Sequence, residues 1–138
     1  MTPAKGRLQD CNRAQARVRL DQARAFLEVA ELVSTEENDL ANEHVSAALA
    51  VLAGIAAADA ACCATLGQRS RGQDHRQALE LVAQAGSDGK TLSRALGRLL
   101  DIKDGAHYGM VFVNPQQAKT AIRYATTLVN GAAKLILD

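Results

Sequence analysis

The chain has 138 residues, and 16 Lys and Arg side chains stand against 15 Asp and Glu, for a formal net charge of +1. This length is typical of one domain, and the balanced charge excludes both a generally basic nucleic-acid coat and an acidic disordered chain. Alanine makes up about a fifth of the residues and aromatic residues 3%, which favours helices and argues against a β-sandwich or barrel. Any site for RNA or phosphate must therefore be local.

The first eleven residues predict a flexible tail, 1–11, in front of a single helical domain, 12–138. They are polar and basic, and no apolar run follows them, so they do not read as a signal peptide and we expect a cytoplasmic protein. Cys11, Cys62 and Cys63 show no CxxC spacing, and neighbouring cysteines on a helix cannot easily bridge. We therefore expect all three to be reduced, small core residues.

Helical periodicity begins after this tail. Apolar residues recur at four- and three-residue steps over residues 12–33, which predicts the first helix there. A polar break follows, in which Ser34 and Glu37 have the spacing of a capping box. The second helix is predicted over residues 40–66, and Gly67 ends it.

The second helix carries two stripes of different side-chain size. The stripe that we expect in the core consists of Val45, Leu49, Leu52, Ala56, Asp59, Cys63 and Leu66. The other stripe is small and would allow another helix to approach closely, within the chain or across a dimer; it consists of Ala50, Gly54, Ala57, Ala61 and Ala64. The helix is long enough to cross a membrane, but its central Asp would cost about 2.5–3.5 kcal/mol on insertion. We therefore expect a buried bundle helix and no membrane.

Three further helices complete the chain. Asp74 is the predicted N-cap of a short third helix, and a leucine-rich fourth helix is expected to fray at the glycines within residues 104–109. Asn114 and Pro115 are typical of the N-cap and first position of the last helix, which has the clearest apolar periodicity. The chain is therefore predicted to be all-α, an antiparallel helical bundle of about five helices.

Asp59 is the first candidate functional residue. It lies on an apolar stripe, where an unpaired carboxylate would cost several kcal/mol. We expect it to be at least half buried and bonded to a cation or donor from helix three, helix four or the loop between helices two and three. A structural ion pair and a functional role both remain open.

The densest cationic segment surrounds the start of the third helix. It contains Arg69, Arg71, His75 and Arg76. The free backbone N–H groups of a helix start, together with these side chains, would suit a phosphate. A solvated, charged loop is the alternative interpretation.

The end of the fourth helix supplies a second cluster. Lys103 and His107 share one face, at i and i+4, if the helix continues that far. A cation that neutralises a developing phosphorane and a His that moves a proton suit phosphodiester chemistry, although His107 could instead only cap or pack the helix end. We expect the two basic segments to lie at one cleft. No Cys/His spacing resembles a zinc site, so we expect neither a metal nor a cofactor.

Three segments resemble the HEPN superfamily, and in particular its small actinobacterial members. They are Leu-Ala-Gly-Ile-Ala-Ala-Ala-Asp-Ala at 52–60, Arg-Ser-Arg-Gly-Gln-Asp-His at 69–75, and Leu-Leu-Asp-Ile-Lys-Asp-Gly-Ala-His-Tyr-Gly at 99–109. The likeness extends from about Arg13 to the end of the chain. It implies a homodimeric helical bundle. Many members are metal-independent ribonucleases that act as toxins in toxin–antitoxin or phage-defence systems, often beside a nucleotidyltransferase partner, and others are non-catalytic binding modules.

The family motif, an Arg several positions before a His, can be compared with two places in this chain. Lys103 and Asp104 stand where Arg and a polar residue are expected, and His107 comes one residue sooner than usual. Arg69 and His75 match the motif at the start of a helix. The resemblance implies that His107 or His75 acts as the general base toward a 2′-hydroxyl. The residues that would surround the phosphate are Arg69, Arg71, Arg76 and Lys103.

Asp59, Asp104 and Tyr108 would support such a site. Tyr108 is similar in position to a Tyr that a partner transferase modifies in some members. The sequence therefore predicts a HEPN-like RNA-cleaving or RNA-binding protein. The resemblance implies that it could be the toxin of a toxin–antitoxin or defence system. The alternatives are a non-catalytic nucleotide- or partner-binding module and a structural dimerising bundle.

Overall fold

The computed structural model describes residues 7–35, 43–71, 74–108 and 113–137, with only the backbone described for 104–108. Five helices make up most of these residues and confirm the predicted all-α bundle. They are α1 (Arg13–Thr35), α2 (Glu43–Leu66), α3 (His75–Val82), α4 (Gly89–Tyr108) and α5 (Pro115–Leu137).

The central helix is α2, which contacts α1, α4 and α5. Its small residues form the core face, since Ala50, Ala57 and Ala61 are fully buried, whereas Leu52 and Val45 are 37% and 41% exposed. The prediction that the larger stripe faces the core is therefore wrong for Val45 and Leu52, whereas Ala56 and Cys63 of that stripe are buried. Neighbours surround α2 on three sides, and only small side chains fit where helix axes approach closely.

Membrane insertion was one alternative for α2. Among the described residues, α2 is the helix long and apolar enough to cross a membrane, and 67% of its most apolar window is buried inside the bundle. That burial matches the predicted core helix.

Local hydrogen bonds confirm two helix starts. Asp74 accepts a hydrogen bond from the backbone N–H of Gln77 at 3.2 Å, as an N-cap does. The side chain of Asn114 accepts from the N–H of Gln117 at 2.8 Å, and the Gln117 side chain accepts in return from the N–H of Asn114 at 3.0 Å. This reciprocal pair fixes the start of α5.

Two helix ends differ from prediction. Ser34 lies inside α1 and its hydroxyl donates to the carbonyl of Glu31 at 2.7 Å, so it does not begin a capping box; Glu37 lies outside the described residues. The fourth helix continues through Gly105 to Tyr108 instead of fraying at the glycines. Residues 103 and 107 are therefore one helical turn apart.

A small antiparallel sheet adds to the bundle at the end of α2. Its strands are β1 (Leu8–Asp10) and β2 (Gln68–Ser70), and Gln9 pairs with Arg69 at the centre of the register. No pattern in the sequence predicted these strands, and residues 8–10 belong to the segment predicted to be a flexible tail.

The cysteines are not all reduced, which corrects the prediction. Cys11 and Cys63 form a disulfide with a Cα–Cα distance of 5.3 Å, and Cys62 is free and buried. The adjacency of Cys62 and Cys63 excluded a bond between those two only. Cys11 reaches Cys63 because the start of α1 lies beside the end of α2.

Candidate functional site

A buried carboxylate near the C-terminal end of α2 is shared by two arginines. The Asp59 side chain is 12% exposed, and its Oδ2 atom accepts hydrogen bonds from Arg19 of α1 at 2.8 Å and from Arg69 of β2 at 2.9 Å. Two predictions are thereby confirmed: Asp59 is more than half buried, and the segment between α2 and α3 supplies a cation. Arg19 comes from α1, which the prediction left out.

Arg19 reaches Asp59 because it flanks the buried stripe of α1. Ala16, Leu20 and Ala23 are buried in the core, so the neighbouring Arg19 lies at the edge of the α1–α2 contact. This flanking position is the sequence signal that could have suggested a partner on α1.

Arg69 is held on both sides. Its Nε and Nη2 atoms donate to Oε1 of Gln9 at 3.0 and 2.8 Å, and Nη1 donates to Asp59. The β1–β2 register places Gln9 directly opposite Arg69. Because each of its three nitrogens donates to an acceptor, the guanidinium is fixed in place. Nothing in the sequence pointed to Gln9.

Burial shifts two pKa values in and beside the ion-pair cluster. Burial raises the pKa of Asp59 above its ordinary value of 3.8, and the guanidinium groups of Arg19 and Arg69 offset this only in part. Burial, with the nearby Asp59 charge as the second cause, raises the pKa of Cys62 to about 12. The Cys62 thiol is therefore protonated near neutral pH and is a poor nucleophile.

A cavity of about 290 Å³ opens beside this cluster, against α1, α2, α3, α4 and β2. Its apolar wall consists of Ile55, Ala58, Cys62, Ala78, Leu81, Val82, Leu96 and Leu100. Its polar wall consists of Arg19, Asp59, Arg69, Ser70, Arg71, Asp74, His75 and Lys103. Four Lys or Arg side chains against two carboxylates make the potential of the polar wall positive.

Arg71 and Lys103 are the cations that a ligand could use. Asp59 and Gln9 occupy Arg69, and Asp59 and Gln22 occupy Arg19. Among the side chains that the structure describes, neither Arg71 nor Lys103 has a carboxylate partner. Arg71 is exposed, and its backbone N–H donates to the carbonyl of Arg7 at 2.6 Å. Lys103 is half-buried.

The cavity brings together residues from both predicted basic segments. Arg69, Arg71 and His75 come from the first segment, and Lys103 comes from the second. Arg76 is exposed and does not line this cavity.

Three other predicted site residues lie at the end of α4. The backbone is helical there, but the side chains of Asp104, His107 and Tyr108 lie outside the described residues. Of the second basic segment, Lys103 is therefore the residue that the structure places at the same cavity as the first segment.

A second, shallower groove lies between α3 and α4. His75 and Leu100 border both the groove and the cavity, and the groove adds Arg94, Arg98 and the carboxylate of Asp101 from α4. The sequence analysis did not single out these two arginines, although their spacing of four residues places them on one face.

The described part of the chain contains no cluster of three or more His, Cys, Asp or Glu side chains that could hold a metal ion. No protein-family model matches this chain, and no curated protein is significantly similar to it. The HEPN resemblance thus depends on the three segments quoted above.

Proposed function

We propose that this chain is a HEPN-like RNA-binding protein whose cavity receives one nucleotide of a bound RNA strand. The observation that carries this proposal is one cavity in which Arg71 and Lys103, without carboxylate partners among the described side chains, face an apolar wall. A nucleotide has the same two sides, an anionic phosphate and a flat, weakly polar base. The phosphate lies between the two cations in charge-assisted hydrogen bonds.

The size of the cavity limits what it can hold. At about 290 Å³, it lies just below the roughly 300–1,000 Å³ that ligand pockets occupy. That volume suits a single nucleotide better than a folded RNA. Its apolar wall is aliphatic, and bases usually stack on aromatic rings in RNA-binding proteins. We therefore expect weak discrimination among the four bases.

The shallower groove offers a path for the rest of a strand. It begins at His75 and Leu100, which also border the cavity, and continues to Arg94 and Arg98. Phosphates next to the bound nucleotide would meet these two arginines. A short single strand should therefore bind more tightly than a mononucleotide.

Binding can be tested by fluorescence anisotropy with a short labelled RNA. Arg71→Gln and Lys103→Gln should each weaken binding about tenfold, which is the loss expected for one charge-assisted hydrogen bond. Lys119→Gln is the matched control, because Lys119 is exposed on α5 and lines none of the cavities described above. Affinity should also fall as salt rises. Equal affinities for all three variants would contradict the proposal.

A second candidate function is metal-independent cleavage of RNA. It is favoured by one observation, that His75 lines the same cavity as Lys103. In this mechanism a neutral His75, or His107 of α4, removes the proton of a 2′-hydroxyl, and Lys103 stabilises the charge of the phosphorane. RNA cleavage that persists in EDTA, which removes divalent metal ions, and is lost in His75→Ala or His107→Ala would establish catalysis. Binding without cleavage would leave the non-catalytic module.

The resemblance extends this proposal to partners and location. We propose that the protein is a cytoplasmic homodimer that acts as a toxin or defence protein. We also propose a nucleotidyltransferase or antitoxin partner that acts near Tyr108. The small stripe of α2 is buried inside the chain, so the dimer surface must lie elsewhere. Light scattering at micromolar concentration should give twice the monomer mass. The monomer mass would contradict the dimer.

A further inference from the structure

The N-terminal strand β1 depends on a covalent attachment. It has three residues, and its described contacts are the ladder to β2, side-chain hydrogen bonds to β2, and the Cys11–Cys63 disulfide at its end. Leu8 is 47% exposed and Asp10 is exposed, so the strand buries no apolar side chain in the core. A two-stranded ribbon of this kind is marginally stable in water. The disulfide is therefore the strongest restraint on β1.

Strand β1 in turn supports two basic residues of the cavity. Gln9 accepts two hydrogen bonds from the guanidinium of Arg69. Two residues along, just before β1, the carbonyl of Arg7 accepts from the N–H of Arg71. Whatever holds β1 against β2 therefore also supports Arg69 and Arg71.

The helical bundle has its own core and caps, so we expect it to stay folded without this bond. Helix α1 begins two residues after Cys11 and has its own N-cap, since Asn12 accepts from the N–H of Gln15 at 2.8 Å. Its buried stripe, which includes Leu20 and Leu27, packs in the core. Opening of the disulfide should release β1 and leave the helices in place.

The bond can be reached from solvent. Cys11 and Cys63 line a small cavity of about 220 Å³, whose other residues include Arg19 and Arg69. Cys11 is half-buried and Cys63 is 4% exposed, so Cys11 is the more accessible of the two cysteines. The remaining thiol, Cys62, stays protonated and does not compete as an internal nucleophile.

We propose that the Cys11–Cys63 disulfide is an exchange site for small thiols, and that its opening removes the support of β1 from Arg69 and Arg71. The attacking thiolate bonds to Sγ of Cys11, the disulfide breaks, and Cys63 leaves as a thiolate that takes up a proton. A second thiolate attacks the mixed disulfide, releases Cys11 as a thiolate, which is then protonated, and leaves as the oxidised small disulfide. Disulfides in reducing compartments are usually of this transient, regulatory kind.

Release of the strand can be measured without any ligand. The amide N–H groups of Cys11 and Arg71 are bonded to Gly67 and Arg7, so their hydrogen exchange reports the attachment of β1. Reduction with glutathione should accelerate their exchange at least about tenfold and leave the amides of α2 protected. Unchanged exchange would overturn the proposal, and so would loss of protection along α2, which would make the bond a support of the whole fold.

A double variant provides the matched control. Cys11→Ala/Cys63→Ala should show the fast exchange with or without glutathione. An effect of glutathione on this variant would mean that the thiol acts elsewhere and would overturn the proposal.

The sulfur that is attacked can be identified by mass spectrometry. After partial reduction with glutathione and alkylation of the free thiols, peptide mapping should find the mixed disulfide on Cys11. A mixed disulfide on Cys63 would overturn the assignment of the attacked sulfur.

The consequence for ligand binding rests on the proposed function. Opening the disulfide should weaken binding of the labelled RNA several-fold, because Arg69 and Arg71 are then less preorganised. If β1 is released but the oxidised protein binds no RNA, the proposed function fails while the exchange site stands. If the oxidised protein binds RNA and reduction changes neither exchange nor affinity, the exchange site fails alone.

Discussion

The middle of α2 and its C-terminal end obey different physical rules. In the middle, Gly54 and the alanines around it are buried against α4 and α5, and shape decides which side chain fits. At the end, Asp59, Arg19 and Arg69 come from three different elements, and charge decides the arrangement. One helix therefore joins a tightly packed core to a polar cluster beside a cavity.

The difference teaches what each region contributes. Small side chains let α4 and α5 approach, so the middle of α2 stabilises the fold through packing. The Asp59 cluster is a weaker source of stability, because burying its carboxylate costs free energy that the two arginines only partly return. Its clear effect is to hold Arg69 rigidly at the edge of the cavity.

The largest expected effect tests packing in the middle of α2. A Cβ atom at Gly54 would overlap Cδ1 of Leu99 and approach Cδ1 of Leu128 to 3.2 Å. Gly54→Ala should lower the free energy of unfolding by about 3 kcal/mol, at the upper end of the range for overpacked cores. Urea denaturation measures the change.

Gly97→Ala is the matched control for that variant. Gly97 is also inside a helix, α4, but an added Cβ would lie 3.6 Å from Leu79, an ordinary contact. The substitution should raise the free energy of unfolding by about 0.5–1 kcal/mol through helix propensity. A loss of the same size at both glycines would contradict the packing account.

The next effect tests the charged end of α2. Asp59→Ala leaves Arg19 and Arg69 without their shared acceptor, and we expect a loss of about 2 kcal/mol in the free energy of unfolding. Asp59 and Gly54 touch different partners, so the double variant should show additive losses. Strong coupling between the two sites, measured in the same denaturation experiments, would mean that the regions are not independent.

The smallest effect concerns pH. The folded-state pKa of Asp59 is raised above the unfolded-state value, so its contribution to stability is present below the ordinary value of 3.8 and is lost as pH rises through the raised value. Relative to Asp59→Asn, the wild-type chain should therefore lose stability over that interval. Carboxyl NMR should show Asp59 titrating above its ordinary range, and Arg19→Gln should move its pKa higher still. A pKa below 3.8 would contradict the burial effect.

Periodicity predicted the helices well because amphipathic stripes and N-cap residues are local signals. It failed for α2, where almost every position is apolar or small and periodicity cannot show which face is buried. The need for a partner at Asp59 followed from one charge on an apolar stripe. Its partner Arg19 could not be predicted, because that required knowing that α1 and α2 are neighbours. The contact of Gln9 with Arg69 and the Cys11–Cys63 bond likewise required knowing that β1 lies beside β2 and the end of α2. Pairing between distant segments is set by packing, which a local pattern does not contain.

The central claim is that the cavity beside Asp59 binds a nucleotide through Arg71 and Lys103. The most direct measurement is an NMR titration of the isotope-labelled protein with adenosine monophosphate and, separately, with adenosine. The account predicts that the monophosphate shifts the signals of Arg71, Lys103 and the lining residues Ala58 and Leu96, leaves exposed Lys119 unchanged, and binds at least about tenfold more tightly than adenosine. Equal binding of the two ligands, or shifts confined to residues outside the cavity, would contradict it.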